Sequence, residues 1–287
     1  VKTVETDDKL YGVPVSIECY ALLYNKDLVK GEPATTMEQI IEEAKEFNNP
    51  SENKFWFLNV VTEGYNVFPF LSVDGFMPFG QDGKNNDDPG FGTPEFLKAL
   101  ERVRDLHKLI PINADDLKIE TITQLEQNFM EGRTAYYPIG PWLIKTLKEQ
   151  NVNFGVTTLP TMDGKQMKTM AGVQNAYVSA YSEYPQAAQL FAQYLVSEKG
   201  AELLYEKAYN VTARKNADDV KGLKDDEALK VYVEAFQDAV PMPQVKRISY
   251  YWTTMQGVLN AVFDGKMTPE EGAAKAQSDF DALVASE

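Results

Sequence analysis

A helical pattern, a short strand and a Gly-Pro break follow one another in residues 129–142, and this order constrains the fold more than any other feature. Gly132 follows the last apolar turn of the helical pattern, where glycine commonly ends a helix. Residues 134–139 then form a short strand, which Gly140 and Pro141 break. In open α/β sheets, ligands bind beyond the carboxyl ends of strands. The residues after this strand are therefore candidates for a binding site.

Trp142 stands directly after that break, where a new helical pattern begins. A flat indole in this position can stack on the apolar face of a sugar ring, as it stacks on other flat or apolar partners. The alternative is a core residue at a strand–helix turn, because tryptophan is usually well buried. The position alone leaves both interpretations open.

Strand and helix patterns alternate along the rest of the chain. Residues 10–24, rich in β-branched and aromatic side chains, are typical of one long strand. The other strand patterns cover residues 55–61, 153–160 and 176–180. The first helical pattern is capped at Thr35 and ends near residues 48–50, and the others cover residues 93–109, 119–130, 142–150, 185–196, 197–209, 225–240, 251–263 and 268–285. We find no internal repeat. This alternation predicts a helix-rich α/β fold.

Composition excludes several classes of function. A net charge of -15 on 287 residues disfavours nucleic acid and anionic membrane surfaces as partners. The single cysteine, Cys19, excludes an internal disulfide and is expected to be a small buried hydrophobe, and the single histidine, His107, is expected to be a solvated helix residue. Zinc sites and nucleophile–histidine catalysis are therefore disfavoured, and we predict no metal and no cofactor. The chain opens on polar residues, so we expect no signal peptide there.

Two acids lie in positions where a carboxylate is unusual or useful. Glu18 interrupts an apolar strand, either as an edge residue facing solvent or as a hydrogen-bond acceptor facing a cleft. Glu63 and Tyr65 are two residues apart at the predicted start of a helix. A carboxylate beside an aromatic ring suits a sugar, because hydroxyls donate to the carboxylate and C–H faces stack on the ring.

The ordered set of motifs resembles the maltose/maltodextrin-binding protein family, the extracellular solute receptors of ABC sugar importers. The resemblance spans nearly the whole chain and lies in Tyr24-Asn25-Lys26-Asp27, Val73-Asp74-Gly75, Phe129, Gly132, Ala135, Gly140-Pro141-Trp142, Phe154-Gly155-Val156, Leu159-Pro160, Ala171-Gly172-Val173, 187–195 and Asn260-Ala261. It implies a two-lobed, periplasmic-binding-protein-like α/β fold.

The resemblance also implies the sugar-contacting residues. The family's acid in the first strand falls on Glu18, its acid and aromatic after the next strand on Glu63 and Tyr65, and its aromatic after Gly-Pro on Trp142. Tyr251 falls where maltose-binding protein has a tryptophan. Met255 replaces the family's arginine four residues further along the same helix.

The family begins with strands and helices that have no counterpart here. The resemblance therefore implies one complete lobe, residues 21–169 and 224–287, and a remnant of the N-terminal lobe, residues 1–20 and 172–222. A partial lobe is expected to expose apolar surface that a complete lobe buries. A separate N-terminal fragment is accordingly one candidate partner.

The implied function is non-catalytic binding of malto-oligosaccharides for delivery to the membrane subunits of an ABC importer. The implied location is extracellular, at the outer face of a bacterial membrane, lipid-anchored or periplasmic in the intact protein. Three alternatives stay open: a receptor for a different oligosaccharide, a glycosidase that uses Glu18 and Glu63 as its acid pair, and a truncated fragment without binding.

Overall fold

A computed structural model describes residues 4–6 and 9–287, which form a mixed α/β structure. The helices of this part are α1 Met37–Phe47, α2 Gly64–Leu71, α3 Pro94–Leu109, α4 Ile122–Met130, α5 Ile144–Glu149, α6 Pro185–Leu195, α7 Glu198–Ala208, α8 Glu227–Gln237, α9 Ile248–Phe263 and α10 Pro269–Ala285. The strands are β1 Glu5–Thr6, β2 Lys9–Leu10, β3 Gly12–Glu18, β4 Ala21–Asn25, β5 Phe55–Phe57, β6 Thr134–Ile139, β7 Phe154–Thr157, β8 Thr161–Met162, β9 Lys165–Gln166, β10 Met170–Tyr177, β11 Val211–Thr212 and β12 Val240–Pro241.

Two four-stranded sheets carry the fold. The first has the order β5-β6-β4-β7, with β5 parallel to β6 and with β4 antiparallel to both of its neighbours. The second has the order β11-β3-β10-β12, and its central pair is antiparallel with an irregularity between Gln174 and Asn175. The pairs β1-β2 and β8-β9 form small separate ribbons. The predicted alternation of strands and helices is confirmed.

The chain crosses between the two sheets at Cys19 and Tyr20. These two residues separate β3 of the second sheet from β4 of the first. The single strand predicted for residues 10–24 is therefore wrong: those residues include the end of β2, all of β3 and most of β4. Thr169, directly before β10, lies at the same junction: its Oγ1 accepts a hydrogen bond from the Tyr20 backbone N–H at 2.9 Å. The Thr169 carbonyl accepts another from the Val240 N–H at 2.9 Å. Thr169 therefore forms hydrogen bonds with both the β3–β4 junction and the start of β12.

The main core lies between the first sheet and the helices packed around it. The longest helices, α3, α9 and α10, pack against one another, and α2 packs against α3 and α9. Cys19 is buried, as predicted. His107 lies in a helix, as predicted, but it is half-buried rather than fully solvated, and its ring lies edge-on to that of Phe263 with centroids 5.1 Å apart. The apolar face of α9 covers one side of the imidazole.

The predicted division into lobes stays a prediction. The strands of the first sheet fall in residues 21–169, while β3 and β11 fall in residues 1–20 and 172–222. Strand β12 comes from residues 224–287 but pairs with β10 of the second sheet. The segment 1–20 also includes residues 1–3, 7 and 8, which lie outside the described residues. Within residues 4–6 and 9–287, no helix combines the length and apolarity needed to cross a bilayer.

Candidate functional site

Four of the five predicted site residues lie where three chain segments leave their strands: Glu18, Glu63, Tyr65 and Trp142. Strands β5 and β6 are parallel neighbours, so their carboxyl ends lie at one edge of the first sheet. Glu63 and Tyr65 follow β5 at the start of α2, and Trp142 follows β6. The β3–β4 junction reaches the same edge, because Ala21 pairs with Ile139, the last residue of β6. This edge is the position at which open α/β sheets bind ligands.

Tyr20 joins two of the predicted aromatic residues. Its ring lies edge-on to Tyr65, with centroids 5.2 Å apart and planes at 82°, and 5.9 Å from the indole of Trp142 at a tilt of 59°. Both arrangements are favourable for aromatic pairs. Tyr65 and Trp142 are thus brought together through a buried ring at the sheet junction.

Trp142 is 42% exposed, so its indole is available at the surface rather than sealed in the core. The ring folds back over Gly140: a Cβ atom at position 140 would stand 1.9 Å from the indole carbon Cζ3. Glycine is therefore required at position 140 for this placement. Pro141 and Trp142 lie in a 3₁₀ turn, Pro141–Leu143, that precedes α5.

The two predicted acids are each held by a side-chain amide. Glu63 Oε1 accepts from Gln256 Nε2 at 3.0 Å, and Glu18 Oε1 accepts from Gln174 Nε2 at 2.9 Å. Partial burial raises the pKa of Glu63, and the nearby charge of Glu120 raises it further. Burial is the main cause of the raised pKa of Tyr65, and the charge of Glu18 also raises it.

Tyr251 lies beneath this surface: its ring carbon Cε1 is 3.4 Å from the position of a Cβ built on Gly64, but its side chain is not exposed. It is 0% exposed and stacks on Phe91, with centroids 5.6 Å apart and planes at 12°, so it belongs to the core between α3, α9 and α10. This placement corrects the expectation that Tyr251 offers a ring face to a sugar. Met255, which the sequence placed at the family's arginine, is also fully buried.

Trp252 and Gln256 of α9 lie at this surface in place of Tyr251 and Met255. Trp252 is half-buried, and its indole lies 3.2 Å from the position of a Cβ built on Gly64, next to Glu63 and Tyr65. Gln256, four residues further along α9, holds Glu63. Residues four apart share one helix face, so Trp252 and Gln256 form the surface pair while Tyr251 and Met255 form the core pair. Sequence reasoning missed Trp252 because adjacent aromatics give no local indication of which one faces the core.

Glu126 of α4 adds a further carboxylate that the sequence analysis did not single out. Burial raises its pKa. Burial is the main cause of the raised pKa values of Tyr20 and Tyr137, and the charge of Glu126 raises them further.

We call the set Glu18, Glu63, Tyr65, Trp142 and Trp252 the aromatic–acid surface.

This surface offers ring faces and anionic hydrogen-bond acceptors side by side. Aromatic faces accept the C–H side of a pyranose ring, and carboxylates accept hydrogen bonds from its hydroxyls. In the part of the chain that the structure describes, no group of three or more His, Cys, Asp or Glu residues could hold a metal ion.

Comparison with known proteins identifies a family and several relatives. The family model of the bacterial extracellular solute-binding proteins matches residues 1–231. A galactooligosaccharide-binding protein of Bacillus subtilis strain 168 is 30% identical over 281 residues, which cover 96% of this chain and 66% of the relative. A maltooligosaccharide ABC transporter solute-binding lipoprotein of Streptococcus pneumoniae strain R6 is 28% identical, with 96% and 65% coverage. The chain thus spans slightly less than two thirds of the length of these curated relatives.

Two solved structures are similar over nearly the whole chain. A cyclo/maltodextrin-binding protein complexed with maltotetraose superposes with a TM-score of 0.84 at 28% identity, covering 98% of this chain and 72% of that chain. The maltose-binding periplasmic protein MalE from Listeria monocytogenes, in complex with maltose, superposes with a TM-score of 0.84 at 29% identity, covering 100% and 75%. The periplasmic-binding-protein-like α/β fold expected from the sequence is confirmed.

Proposed function

The chain belongs to the bacterial extracellular solute-binding protein family, and we propose on this premise that it binds a malto-oligosaccharide without transforming it. The observation that carries the proposal is the aromatic–acid surface, where Tyr65 and Trp142 share the buried ring of Tyr20. Tyr65, Trp142 and Trp252 supply stacking faces. Glu18 and Glu63 accept hydrogen bonds from sugar hydroxyls.

A galacto-oligosaccharide is the second candidate ligand. The Bacillus subtilis relative that is 30% identical to this chain is a galactooligosaccharide-binding protein, whereas the relatives at 28% identity are named for malto-oligosaccharides or maltodextrin. Both ligand classes present pyranose rings to the same kind of surface. The two candidates differ in the orientation of individual hydroxyls, which the carboxylates and amides at this edge would discriminate.

A glycosidase is a weaker candidate than a receptor. Such an enzyme needs two carboxylates placed on either side of one glycosidic bond, one of them available as an acid. The raised pKa of Glu63 would suit the acid, but the family that matches this chain is one of solute-binding proteins rather than enzymes, which favours a receptor. Incubation with maltotriose decides the question: shorter sugars that disappear in the Glu18→Gln variant would establish catalysis.

The proposed partners and location follow from the family. Delivery of the sugar would involve the membrane subunits of an ABC importer at the outer face of a bacterial membrane, with the intact protein lipid-anchored or periplasmic. A separate N-terminal segment is a further proposed partner. Large apolar side chains exposed in and before α6 support it, and we call this set the α6 apolar segment: Tyr181, Tyr184, Leu190, Phe191 and Tyr194.

Calorimetric titration with maltotriose, and in parallel with a galacto-oligosaccharide, tests the proposed function. We expect heat of binding with one of them and about a tenfold or greater loss of affinity in Trp142→Ala, because stacking on an indole is lost. Gly140→Ala displaces the indole without removing it and should weaken binding in the same direction. Gly92→Ala is the matched control, because a Cβ at that position meets no atom within 4 Å. No heat with either sugar from a folded chain would contradict the proposal and favour a fragment without binding.

A further inference from the structure

Tyr20 occupies the point at which the two sheets are joined. It is one of two residues between β3 and β4, and its backbone N–H is tied to Thr169 at the start of β10. Thr169 in turn accepts from the Val240 N–H at the start of β12. Two hydrogen bonds therefore connect three chain segments at this junction, one made by Tyr20 itself and one made by Thr169.

The side chain of Tyr20 points from that junction into the aromatic–acid surface. It is 2% exposed and contacts both Tyr65 and Trp142. Its hydroxyl oxygen accepts a hydrogen bond from Asn66 Nδ2 at 2.6 Å, and the Asn66 carbonyl accepts another from Asn59 Nδ2 at 3.1 Å. The ring of Tyr20 is thus fixed at its hydroxyl end by a buried amide on α2.

We propose that Tyr20 is a positioning residue that holds the rings of Tyr65 and Trp142 in one arrangement and ties that arrangement to the junction between the sheets. The inference rests on the proposed function, because the two rings are the stacking faces of that site. Tyr20 is too deeply buried to contact a ligand itself. Its effect on binding comes from preorganisation: rings that are already fixed lose less conformational freedom when a sugar is bound.

The chemistry of tyrosine suits this position better than that of an aliphatic residue. An aliphatic side chain would fill the space but would lose the edge-on and tilted aromatic contacts, each worth about 0.5–1.5 kcal/mol beyond burial. Burial raises the pKa of Tyr20, and the charges of Glu126, Glu18 and Glu63 raise it further. The hydroxyl therefore remains neutral at physiological pH, and its contact with Asn66 persists.

The first test needs no ligand. The three tryptophans, Trp56, Trp142 and Trp252, are labelled with 5-fluorotryptophan, and the ¹⁹F resonance of Trp142 is assigned from the Trp142→Phe variant. In Tyr20→Leu we expect the Trp142 resonance to shift and change width while that of Trp56 stays. Tyr136→Leu is the reciprocal control, because Tyr136 contacts Trp56 at 5.8 Å: there the Trp56 resonance should move and that of Trp142 should not. An unchanged Trp142 resonance in folded Tyr20→Leu would overturn the inference.

A second variant keeps the test decisive if Tyr20→Leu does not fold. Asn66→Ala removes the hydrogen bond that holds the Tyr20 hydroxyl and leaves all three rings in place. We expect a smaller change of the Trp142 resonance of the same kind. No change in Asn66→Ala would then overturn the inference.

Affinity for maltotriose provides the functional readout. Tyr20→Leu should bind about tenfold more weakly than the wild type, Tyr20→Phe should recover most of the loss because it keeps the ring, and Tyr136→Leu should lose stability but not affinity. Wild-type affinity in folded Tyr20→Leu would overturn the inference. If the wild-type chain binds no sugar but the Trp142 resonance responds to Tyr20→Leu, the proposed function fails and the positioning role stands.

Discussion

Two buried tyrosines, Tyr232 and Tyr251, have opposite hydrogen-bonding environments. The Tyr232 hydroxyl donates to the Ile139 carbonyl at 3.0 Å, at the end of β6. The Tyr251 hydroxyl is buried, and among the described residues it has no hydrogen-bond partner. Both rings are almost completely shielded from solvent. An unsatisfied buried hydroxyl costs free energy, whereas a satisfied one contributes, so the same deletion should have opposite consequences at the two positions.

The Tyr251→Phe variant is therefore expected to be as stable as the wild type or more stable by roughly 1 kcal/mol. The Tyr232→Phe variant should lose about 1–2 kcal/mol, because the Ile139 carbonyl loses its donor. Urea unfolding, followed by circular dichroism, measures the change in free energy of unfolding for both variants. Each variant differs from the wild type by the loss of one tyrosine hydroxyl. A clear loss of stability in Tyr251→Phe would show that its hydroxyl has a partner in solution.

At the scale of elements, a carboxylate joins the β8-β9 ribbon to α3. Asp74, the last residue of the 3₁₀ turn that follows α2, accepts from Arg102 Nε of α3 at 2.5 Å and from Lys165 Nζ of β9 at 2.7 Å. Arg102 also pairs with Asp163, in the turn between β8 and β9, at 2.9 Å. The side chains of Asp74 and Arg102 are largely buried, whereas Asp163 is exposed. Hydrogen bonds from Arg102 and Lys165 lower the pKa of Asp74 from 3.8 to about 2.

The stabilisation from Asp74 should depend on pH in a defined direction. A folded pKa below the unfolded value means that the contribution is fully present above pH 3.8 and is lost as the pH falls through about 2. Asp74→Asn should therefore cost about 2 kcal/mol at pH 7, and the difference from the wild type should shrink toward pH 2. Denaturant unfolding at pH 7, 4 and 2.5 measures it.

The exposed partner in the same network provides the control. Asp163→Asn removes a solvent-exposed ion pair with Arg102, which should cost less than about 1 kcal/mol. Equal losses for the two variants would mean that burial of Asp74 does not strengthen its contacts, against the expectation from its lowered pKa.

At the scale of the whole molecule, two surface properties oppose each other. The net charge of -15 keeps copies of the chain apart at low ionic strength. The α6 apolar segment favours association, because helix α6 has no buried residue and Phe191 is 63% exposed. Contiguous exposed apolar surface of this kind usually marks an interface or an association site. Salt should decide the balance, since it screens the repulsion but not the apolar contact.

We therefore expect the 287-residue chain to self-associate when salt is added. Sedimentation velocity at about 0.5 M NaCl, where the Debye length falls below about 8 Å, should show a concentration-dependent rise in the sedimentation coefficient. Phe191→Glu should reduce the association, whereas Ile119→Glu, which adds the same charge at a 39% exposed position outside α6, should not. A wild-type chain that stays monomeric under these conditions would contradict the prediction.

Local pattern and turn chemistry were sufficient for much of the fold. The strand of residues 134–139, its end at Gly140 and Pro141, the helices before and after it and the burial of Cys19 all follow from periodicity and from residues that break it. The strand, its end and the flanking helices depend on short stretches of chain, so the sequence by itself determined them. The grouping of Glu18, Glu63, Tyr65 and Trp142 in one site came from the resemblance and stays a prediction.

Tertiary packing decided the rest. Residues 10–24 have the pattern of one strand, but the chain changes sheets at Cys19 and Tyr20 because β4 pairs with β6 and β7 while β3 pairs with β10 and β11. On α9, neighbouring residues point about 100° apart, so contact with Phe91 draws Tyr251 into the core and leaves Trp252 at the surface. The contacts of Tyr20 with Tyr65 and Trp142 join three segments that are far apart in the chain. Only the packing of these segments brings the three rings together.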